Sequence, residues 1–230
     1  MKIGGFQKTS LLDYPDRISA IVWTSGCNFH CPFCYNKNLA LGTAELFPED
    51  QILSFLSKRK KQLEGVVISG GEPLIQEDII DFIEKIKDLK FLVKIDTNGQ
   101  FPEKIRKLLE KQLVDYIAMD VKAPQGKYRQ ITGIDVDISK IDASINLIKT
   151  KAPAYEFKTT FIPNFLVKED IIEIAKWLNG ADAYYLQQFK IIKPLVSSTL
   201  ETAIPYPRAY LLDTLSAIRS FFKRCAVRGV

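Results

Sequence analysis

Short apolar runs typical of β-strands alternate six times with stretches of helical spacing. The strand-like runs end in glycine or polar residues and cover 18–26, 65–71, 91–99, 116–122, 155–163 and 183–189. Helical spacing begins after Pro48 and recurs near 77–89, 102–112, 138–150, 168–179 and 207–224. Parallel strands need long crossover connections, and near-continuous apolar strands are typical of sheets covered on both faces. The alternation therefore predicts a parallel α/β sheet covered by helices.

Six strand and helix units are too few for a closed eight-stranded barrel. An open partial barrel and a doubly wound sheet both fit the pattern. The chain has 230 residues, 47% of them hydrophobic, which is enough apolar material for one large core. Because no linker, low-complexity segment or internal repeat divides it, we expect a single domain over residues 1–230.

Charge and hydropathy narrow the function classes. The net charge is +5, but basic and acidic residues are interspersed, so we expect no nucleic-acid partner. No apolar run approaches membrane-spanning length and no signal-peptide core follows Met1, so we expect a cytoplasmic protein without a membrane partner. Thiols stay reduced in the cytoplasm, and a tight cysteine cluster there indicates a metal site or catalysis before disulfides.

Three of the four cysteines lie in the segment GCNFHCPFCYN at residues 26–36. Cys27, Cys31 and Cys34 have the spacing CxxxCxxC, and three thiolates so spaced can surround one small cofactor from a single loop. Structural zinc sites and cysteine-bound iron–sulfur clusters normally take four protein ligands. Three cysteines therefore suggest a cluster with one iron left open, where a substrate could bind.

Two residues are candidates for a fourth ligand. His30 is adjacent to Cys31, which makes joint tetrahedral ligation awkward, and a loop contact is the simpler interpretation. Cys225 lies far away in the sequence, in what the spacing predicts to be a basic C-terminal helix, and we interpret it as uninvolved.

Polar clusters follow the first four predicted strands at their carboxyl ends. This edge of an α/β sheet is where loops and helix N-termini converge on ligands, so we expect the clusters to form one site. Beyond the cysteines, they contain Ser69, Gly70, Gly71, Glu72, Asp96, Thr97, Asn98, Asp120 and Lys122.

Glycines 70 and 71 would allow a ligand to approach the backbone, and Glu72 offers a carboxylate to a cationic group such as an amine. Lys122 could neutralise a carboxylate. Each residue taken singly is explained as well by a strand-end cap, a turn or a surface ion pair.

Asp96, Thr97 and Asp120 could gather oxygen atoms around a hard cation or a ribose. In the last predicted strand, Tyr184 and Tyr185 lie close to Gln187 and Gln188. The two tyrosines fit either strand packing or a cofactor wall, and the sequence leaves this choice open.

The combination of motifs is more specific than any one of them. CxxxCxxC with Phe33 before the last cysteine, followed one strand later by GGEP, resembles the radical S-adenosylmethionine superfamily. The N-terminal run GGFQKTSLLDYPDRISAIVWTSGCNFHCPFCYN, with DTNG, MDVKAP and LQQF, resembles the activating proteins of anaerobic ribonucleoside-triphosphate reductases, relatives of pyruvate formate-lyase activating enzyme. The resemblance is strongest through residue 125. It implies a partial (β/α)6 barrel with parallel strands.

The resemblance also implies a cofactor set. Cys27, Cys31 and Cys34 would ligate a 4Fe-4S cluster whose fourth iron takes the amino and carboxylate groups of S-adenosylmethionine. Phe33 would lie by the adenine. Gly70, Gly71 and Glu72 would hold the methionyl amine of S-adenosylmethionine. Other parts of S-adenosylmethionine would lie near the remaining strand-end residues, which are Ser69, Asp96, Thr97, Asn98, Asp120 and Lys122. A monovalent cation near Asp96, Thr97 and Asp120 is a further option.

Asp13 in the segment LLDYPD matches an acidic residue that lies near the activated backbone in these relatives, so the resemblance makes it a partner-binding candidate. The chain departs from the family at His30, where Arg is common, at Tyr35, where His is common, and at Asp16, where Gly is common. These departures bear on the identity of the partner more than on the chemistry.

The resemblance implies a glycyl-radical-enzyme activase. One electron from a flavodoxin or ferredoxin would reduce the cluster, S-adenosylmethionine would yield methionine and a 5′-deoxyadenosyl radical, and the radical would remove the α-hydrogen of one glycine in a partner. The expected partner is an anaerobic ribonucleotide reductase. Two alternatives remain: a radical enzyme acting on a small molecule or peptide, and a non-catalytic metal-binding module.

Overall fold

A computed structural model describes residues 1–230 and contains one eight-stranded sheet. The strands are β1 (Ile3–Ser10), β2 (Ser19–Thr24), β3 (Gly65–Gly70), β4 (Leu92–Thr97), β5 (Tyr116–Asp120), β6 (Tyr155–Phe161), β7 (Ala183–Gln188) and β8 (Arg224–Arg228). Their order in the sheet follows their order in the chain. β1 pairs antiparallel with β2, and every other neighbouring pair is parallel.

Helices connect the parallel strands. They are α1 (Lys37–Ala40), α2 (Glu49–Lys58), α3 (Ile79–Asp88), α4 (Pro102–Glu110), α5 (Tyr128–Thr132), α6 (Ile138–Lys151), α7 (Lys168–Trp177) and α8 (Arg208–Ile218). Local sequence explains several starts: Pro102 opens α4 with its fixed φ, and the Asp137 side chain caps α6 by accepting from the Ser139 amide. None of the helices is long and apolar enough to cross a membrane.

The predicted parallel α/β fold class is confirmed, and all six predicted strands are present. Two further strands, β1 and β8, extend the sheet at its edges. β1 contains two adjacent glycines and polar residues, and β8 is five residues long, so neither carries the apolar pattern of the inner strands. The predicted helix over 207–224 was too long, because α8 ends at Ile218 and the chain turns into β8. Cys225 consequently lies on a strand and not on a helix.

The two faces of the sheet differ in chemistry because side chains alternate along each strand. Toward the helices, residues such as Val66, Ile68, Ile95 and Phe157 belong to a core cluster of 52 buried residues. Removal of each such side chain from water contributes about 1.5–3 kcal/mol. The inner face instead begins with a small apolar layer and then becomes charged.

The small apolar layer closes one end of the inner face. Tyr14, from the β1–β2 connection, packs there against Ile21 of β2 and Val67 of β3, with Leu92 and Tyr116 beside them. Ile21 and Val67 are directly paired between β2 and β3. Since this layer fills the amino ends of the strands, the open volume of the inner face lies toward their carboxyl ends.

Asp16, in the same connection, has a φ of +60°. This left-handed conformation costs most residues about 1–2 kcal/mol, whereas glycine adopts it freely. We expect Asp16→Gly to raise the free energy of unfolding by up to about 1 kcal/mol and Asp16→Ala to lower it. Urea unfolding of the three proteins is the measurement, and an alanine variant as stable as the glycine variant would contradict this reason.

Candidate active site

A cavity of about 700 Å³ lies on the inner face, toward the carboxyl ends of the strands. Every site residue predicted from the sequence lines it, which confirms that the strand-end clusters meet. These residues are Asp13, Cys27, Cys31, Phe33, Cys34, Ser69, Gly70, Gly71, Glu72, Asp96, Thr97, Asn98, Asp120 and Lys122. Their roles toward a cofactor or partner stay predictions.

The cysteine loop, residues 26–36, connects β2 to α1 and is fixed through its backbone. The Gly26 amide donates to the Leu39 carbonyl at 2.6 Å and the His30 amide to the Thr132 carbonyl at 2.8 Å. The Val196 amide donates to the Cys34 carbonyl at 3.0 Å. Two of these bonds come from distant parts of the chain, and within the loop the Cys27 Sγ also accepts from the Phe29 amide at 3.4 Å.

The three thiols are all at least partly buried and lack disulfide partners. Burial raises the pKa of Cys27 to about 11 and of Cys31 to about 12, and it also raises the pKa of Cys34. The nearby Lys122 ammonium acts in the opposite direction on all three thiols. Thiols of this kind lose their protons to the solvent when a metal binds them, because the metal coordinates the thiolate.

The donor set fits a polynuclear cluster. No three His, Cys, Asp or Glu side chains in residues 1–230 are placed to hold one metal ion together. In a 4Fe-4S cluster each cysteine binds its own iron, so the thiols need to face a shared volume and not a shared point. Cys27, Cys31 and Cys34 meet that requirement because all three line the cavity.

Glycines 70 and 71 bring two loops into backbone contact. Gly70 has a φ of +125°, and a Cβ there would overlap the backbone of Thr24. A Cβ on Gly71 would overlap the Gly26 carbonyl oxygen. The Gly71 amide donates to Thr24 at 3.0 Å and the Glu72 amide donates to Gly26 at 2.9 Å. The backbone that approaches these glycines is therefore that of the end of β2 at Gly70 and of the start of the cysteine loop at Gly71.

Glu72 is the central connector of the strand-end loops. Its side chain is buried, and both carboxylate oxygens accept hydrogen bonds. Oε1 accepts from the Leu74 amide at 3.0 Å and the Thr97 hydroxyl at 2.8 Å, and Oε2 accepts from the Asn98 amide at 2.7 Å. The carboxylate predicted to meet an amine thus also fixes the loop after β4.

Asn98 extends this connection to the cysteines. Its side-chain amide donates to Oδ1 of Asn28 at 2.8 Å, and Asn28 lies directly after Cys27. Gln76 makes a parallel link, since its side-chain amide donates to the Ser25 carbonyl at 2.8 Å. The loops after β2, β3 and β4 therefore form one hydrogen-bonded unit.

A set of charged side chains lies on the inner face, and two of its members, Lys94 and Lys158, were not predicted from the sequence. Lys94 Nζ lies 2.6 Å from Asp96 Oδ1, and Lys158 Nζ lies 3.5 Å from Asp96 Oδ2 and 3.7 Å from Asp120 Oδ2. Lys122 Nζ lies 3.2 Å from Asp120 Oδ1. Burial alone would raise the pKa of Asp96, but Lys158 and Lys94 hold it at about 2. The sequence did contain a signal for these inward-facing charges. In FLVKIDT and YEFKTTF, lysine and acidic residues alternate with apolar ones, so that they share one face of the strand.

A second ion pair lies beside this set. Arg228 of β8 binds Glu156 of β6 in a bidentate fashion, at 2.6 and 2.8 Å, and the Tyr116 hydroxyl donates to the same carboxylate at 2.9 Å. The Arg228 guanidinium also stacks on the Tyr185 ring at 3.3 Å from its centroid. The bidentate geometry fits the two carboxylate oxygens and keeps this buried charge compensated.

Strand alternation separates the two tyrosines of β7. Tyr184 faces the helices and stacks on Phe222, with ring centroids 4.8 Å apart, so its role is packing. Tyr185 faces inward beneath Arg228. The cavity wall includes Gln187 and Gln188, and Oε1 of Gln188 is buried without a hydrogen-bond partner. The Gln188 side-chain amide donates to the Tyr206 carbonyl at 2.6 Å, so this side chain is fixed by the protein itself.

Neither His30 nor Cys225 belongs to the cavity wall. The His30 side chain is exposed, and the residue contributes its backbone amide to loop contacts. Cys225 is paired with Tyr184, on the outward-facing side of the sheet. The three cysteines of the loop are thus the thiols of the site.

The family model described as the radical SAM superfamily, where SAM is S-adenosylmethionine, matches residues 21–181. The chain belongs to the radical SAM superfamily. It is similar to a Methanocaldococcus jannaschii protein named "Putative glycyl-radical enzyme activating enzyme MJ1227", with 37% identity over 196 residues that cover 82% of this chain and 80% of that protein. Membership implies a 4Fe-4S cluster and S-adenosylmethionine as cofactors.

Solved structures give the radical SAM fold independently. Streptococcus suis SuiB bound to the precursor peptide SuiA matches with a TM-score of 0.68 and 17% identity, over 91% of this chain and 48% of SuiB, so this chain spans about half of SuiB. A domain of pyruvate-formate lyase-activating enzyme from Bacteroides vulgatus matches with a TM-score of 0.56 and 16% identity, over 72% of this chain and 99% of that domain. At these identities the likeness concerns the fold alone, and it supports the partial-barrel type.

Substitution of Gly71 tests whether the backbone contact positions the cysteines. The added Cβ of Gly71→Ala would force the Gly26 carbonyl away, so we expect a loss of about 1–3 kcal/mol of stability and much lower iron and sulfide uptake. Gly126→Ala is the matched control, because a Cβ there meets no atom within 4 Å. Iron and sulfide analysis after anaerobic reconstitution measures the effect, and normal uptake by Gly71→Ala would contradict it.

Glu72 should leave a mark on the pH dependence of stability. Burial raises its pKa to about 7 from the ordinary value of 4.5, although its three hydrogen-bond donors act to lower it. Between these pH values the folded protein retains a proton that the unfolded chain has released, so stability falls as the pH rises. The contribution is at most about 1.4 kcal/mol per pH unit.

Glu72→Gln cannot titrate and lacks this contribution. We therefore expect the stability difference, wild type minus Glu72→Gln, to decrease as the pH rises from 5 to 7. Urea unfolding of the cluster-free proteins in matched buffers measures it. A stability difference that increases over this pH range would mean that the hydrogen-bond donors lower the pKa of Glu72 by more than burial raises it.

Proposed function

We propose that this radical SAM protein is an activase that installs a glycyl radical in a partner enzyme, with anaerobic ribonucleoside-triphosphate reductase as the first candidate. The supporting observation is that this chain is 37% identical, over about four fifths of both proteins, to the relative named as a putative glycyl-radical enzyme activating enzyme. The sequence resemblance to the reductase-activating group supports the choice of partner.

The cavity contains residues suited to the superfamily's cofactors. Cys27, Cys31 and Cys34 would hold the 4Fe-4S cluster, which when bound supplies the one-electron reduction of S-adenosylmethionine. Phe33 offers an aromatic face on the cavity wall, and Lys122 Nζ lies 5.9 Å from its ring centroid. The tightly connected loops would keep these groups in place while solvent is excluded.

The edge of the cavity has the character of a protein-binding surface. Leu12, Tyr35 and Ile192 line it with 92%, 51% and 51% of their surface exposed, respectively. Asp13 lies beside Leu12 and accepts a hydrogen bond from the Ser10 hydroxyl, which orients its carboxylate. Exposed apolar groups around one fixed carboxylate would suit a backbone segment of a partner better than a small polar substrate. The electron donor would be a flavodoxin or ferredoxin.

The decisive experiment is anaerobic. The chain is reconstituted with iron and sulfide, reduced, and mixed with S-adenosylmethionine and the purified reductase. We expect 5′-deoxyadenosine by chromatography and a glycyl-radical signal by electron paramagnetic resonance. Cys31→Ala should abolish both, because it removes a cluster ligand, while leaving the far-ultraviolet circular dichroism spectrum unchanged.

The controls separate the alternatives. A reductase whose radical-bearing glycine is replaced by alanine should give no radical signal. Consumption of a small molecule or peptide without the reductase would favour the alternative radical enzyme. A protein that takes up no iron or sulfide would instead be a non-catalytic module.

A further inference from the structure

The inner face contains an ammonium group at the position where the sequence resemblance allowed a monovalent cation. Lys158 Nζ lies between the carboxylates of Asp96 and Asp120, at 3.5 and 3.7 Å from their Oδ2 atoms. The Lys158 side chain is 15% exposed. Its charge is therefore largely withdrawn from bulk water and directed at these two carboxylates.

Strand register places the three side chains together. Asp120 of β5 and Lys158 of β6 are directly paired, and Asp96 lies on β4, the other neighbour of β5. Asp96 pairs with Ala118, two residues before Asp120, so all of these positions are on the inner face. The bridging position of Lys158 thus follows from the sheet and not from a mobile loop.

Every carboxylate oxygen of the pair already has a cationic partner. Lys94 forms an ion pair with Oδ1 of Asp96, and Lys122 forms one with Oδ1 of Asp120. Lys158 faces the Oδ2 atoms of both aspartates. A sodium or potassium ion would need these same oxygens as ligands. It would also be placed against three ammonium groups whose side chains are only 5%, 17% and 15% exposed, where like charges repel strongly. The residues present do not fit such an ion.

We propose that Lys158 is a positioning residue that replaces a bound monovalent cation, bridging Asp96 and Asp120 so that the S-adenosylmethionine site forms without potassium or sodium. This inference rests on the S-adenosylmethionine site of the proposed function. It does not depend on which partner the chain activates, because the three residues belong to the cavity wall.

The first measurement uses the wild-type, reconstituted protein. The dissociation constant for S-adenosylmethionine is determined in potassium chloride and in tetramethylammonium chloride at equal ionic strength, with buffers free of sodium. We expect the two values to agree within about twofold. Binding that is about tenfold tighter in potassium chloride would overturn the proposal, because the wild-type site would then require the ion.

The second measurement uses Lys158→Ala, which leaves two carboxylate oxygens without a cation. In tetramethylammonium chloride we expect affinity for S-adenosylmethionine to fall about tenfold or more. Potassium chloride or methylammonium chloride should restore most of it, because a small cation can enter the space that the side chain vacates. A merely structural lysine would give a loss that no added cation restores, and this result would overturn the proposal.

Lys168→Met is the matched control. Lys168 forms an ion pair with Asp213 at 2.6 Å between α7 and α8, outside the cavity. Replacement of Lys168 should change neither the affinity for S-adenosylmethionine nor the dependence of that affinity on potassium chloride. If Lys158→Ala does not fold, Lys158→Met retains the apolar stem without the charge. The wild-type comparison tests the proposal even if neither variant folds.

The midpoint of thermal unfolding provides a readout that is independent of S-adenosylmethionine. Potassium chloride should raise the midpoint of reconstituted Lys158→Ala relative to tetramethylammonium chloride and leave that of the wild type unchanged. A potassium-dependent wild-type midpoint would overturn the proposal. If no protein binds S-adenosylmethionine in any salt, the proposed function fails, while the salt response of the midpoint still tests Lys158.

Discussion

The site depends most on the hydrogen bonds that the buried carboxylate of Glu72 accepts. The carboxylate binds the Leu74 amide in its own loop and the Thr97 hydroxyl and Asn98 amide in the loop after β4. Asn98 in turn binds Asn28, beside the first cysteine. Because three loops share these bonds, the positions of the thiols depend on a residue that is itself not a thiol. The GGEP segment therefore acts on the site through the protein's own backbone as well as through any ligand.

Much of this site could be predicted from the sequence, since strand ends in a parallel sheet converge and the motif residues occur at those ends. The edge strands and the inner charges could not be predicted in the same way. Apolar runs identify strands but do not say which alternate residues face a lumen, so Lys94 and Lys158 looked like ordinary polar positions. The role of the two glycines also depends on a contact between loops more than 40 residues apart, which no local pattern reports.

The inner face separates two kinds of chemistry. At one end the layer around Tyr14, Ile21 and Val67 is apolar and closes the sheet. Above it, lysines and aspartates pair with one another, and Arg228 pairs with Glu156. The buried thiols lie beyond these pairs and keep raised pKa values. Fixed charges of this kind are suited to hold polar parts of a ligand.

The cavity wall extends to both edges of the sheet, from Leu12 and Pro15 after β1 to Arg228 and Gly229 at β8. β1 and β8 are not paired with each other, so the barrel has a lateral opening. A closed barrel would admit a polypeptide only through one end, which requires a free terminus or a narrow hairpin. A lateral opening imposes no such topological condition. An internal segment of a folded protein could enter sideways and leave again without threading or unfolding of either chain.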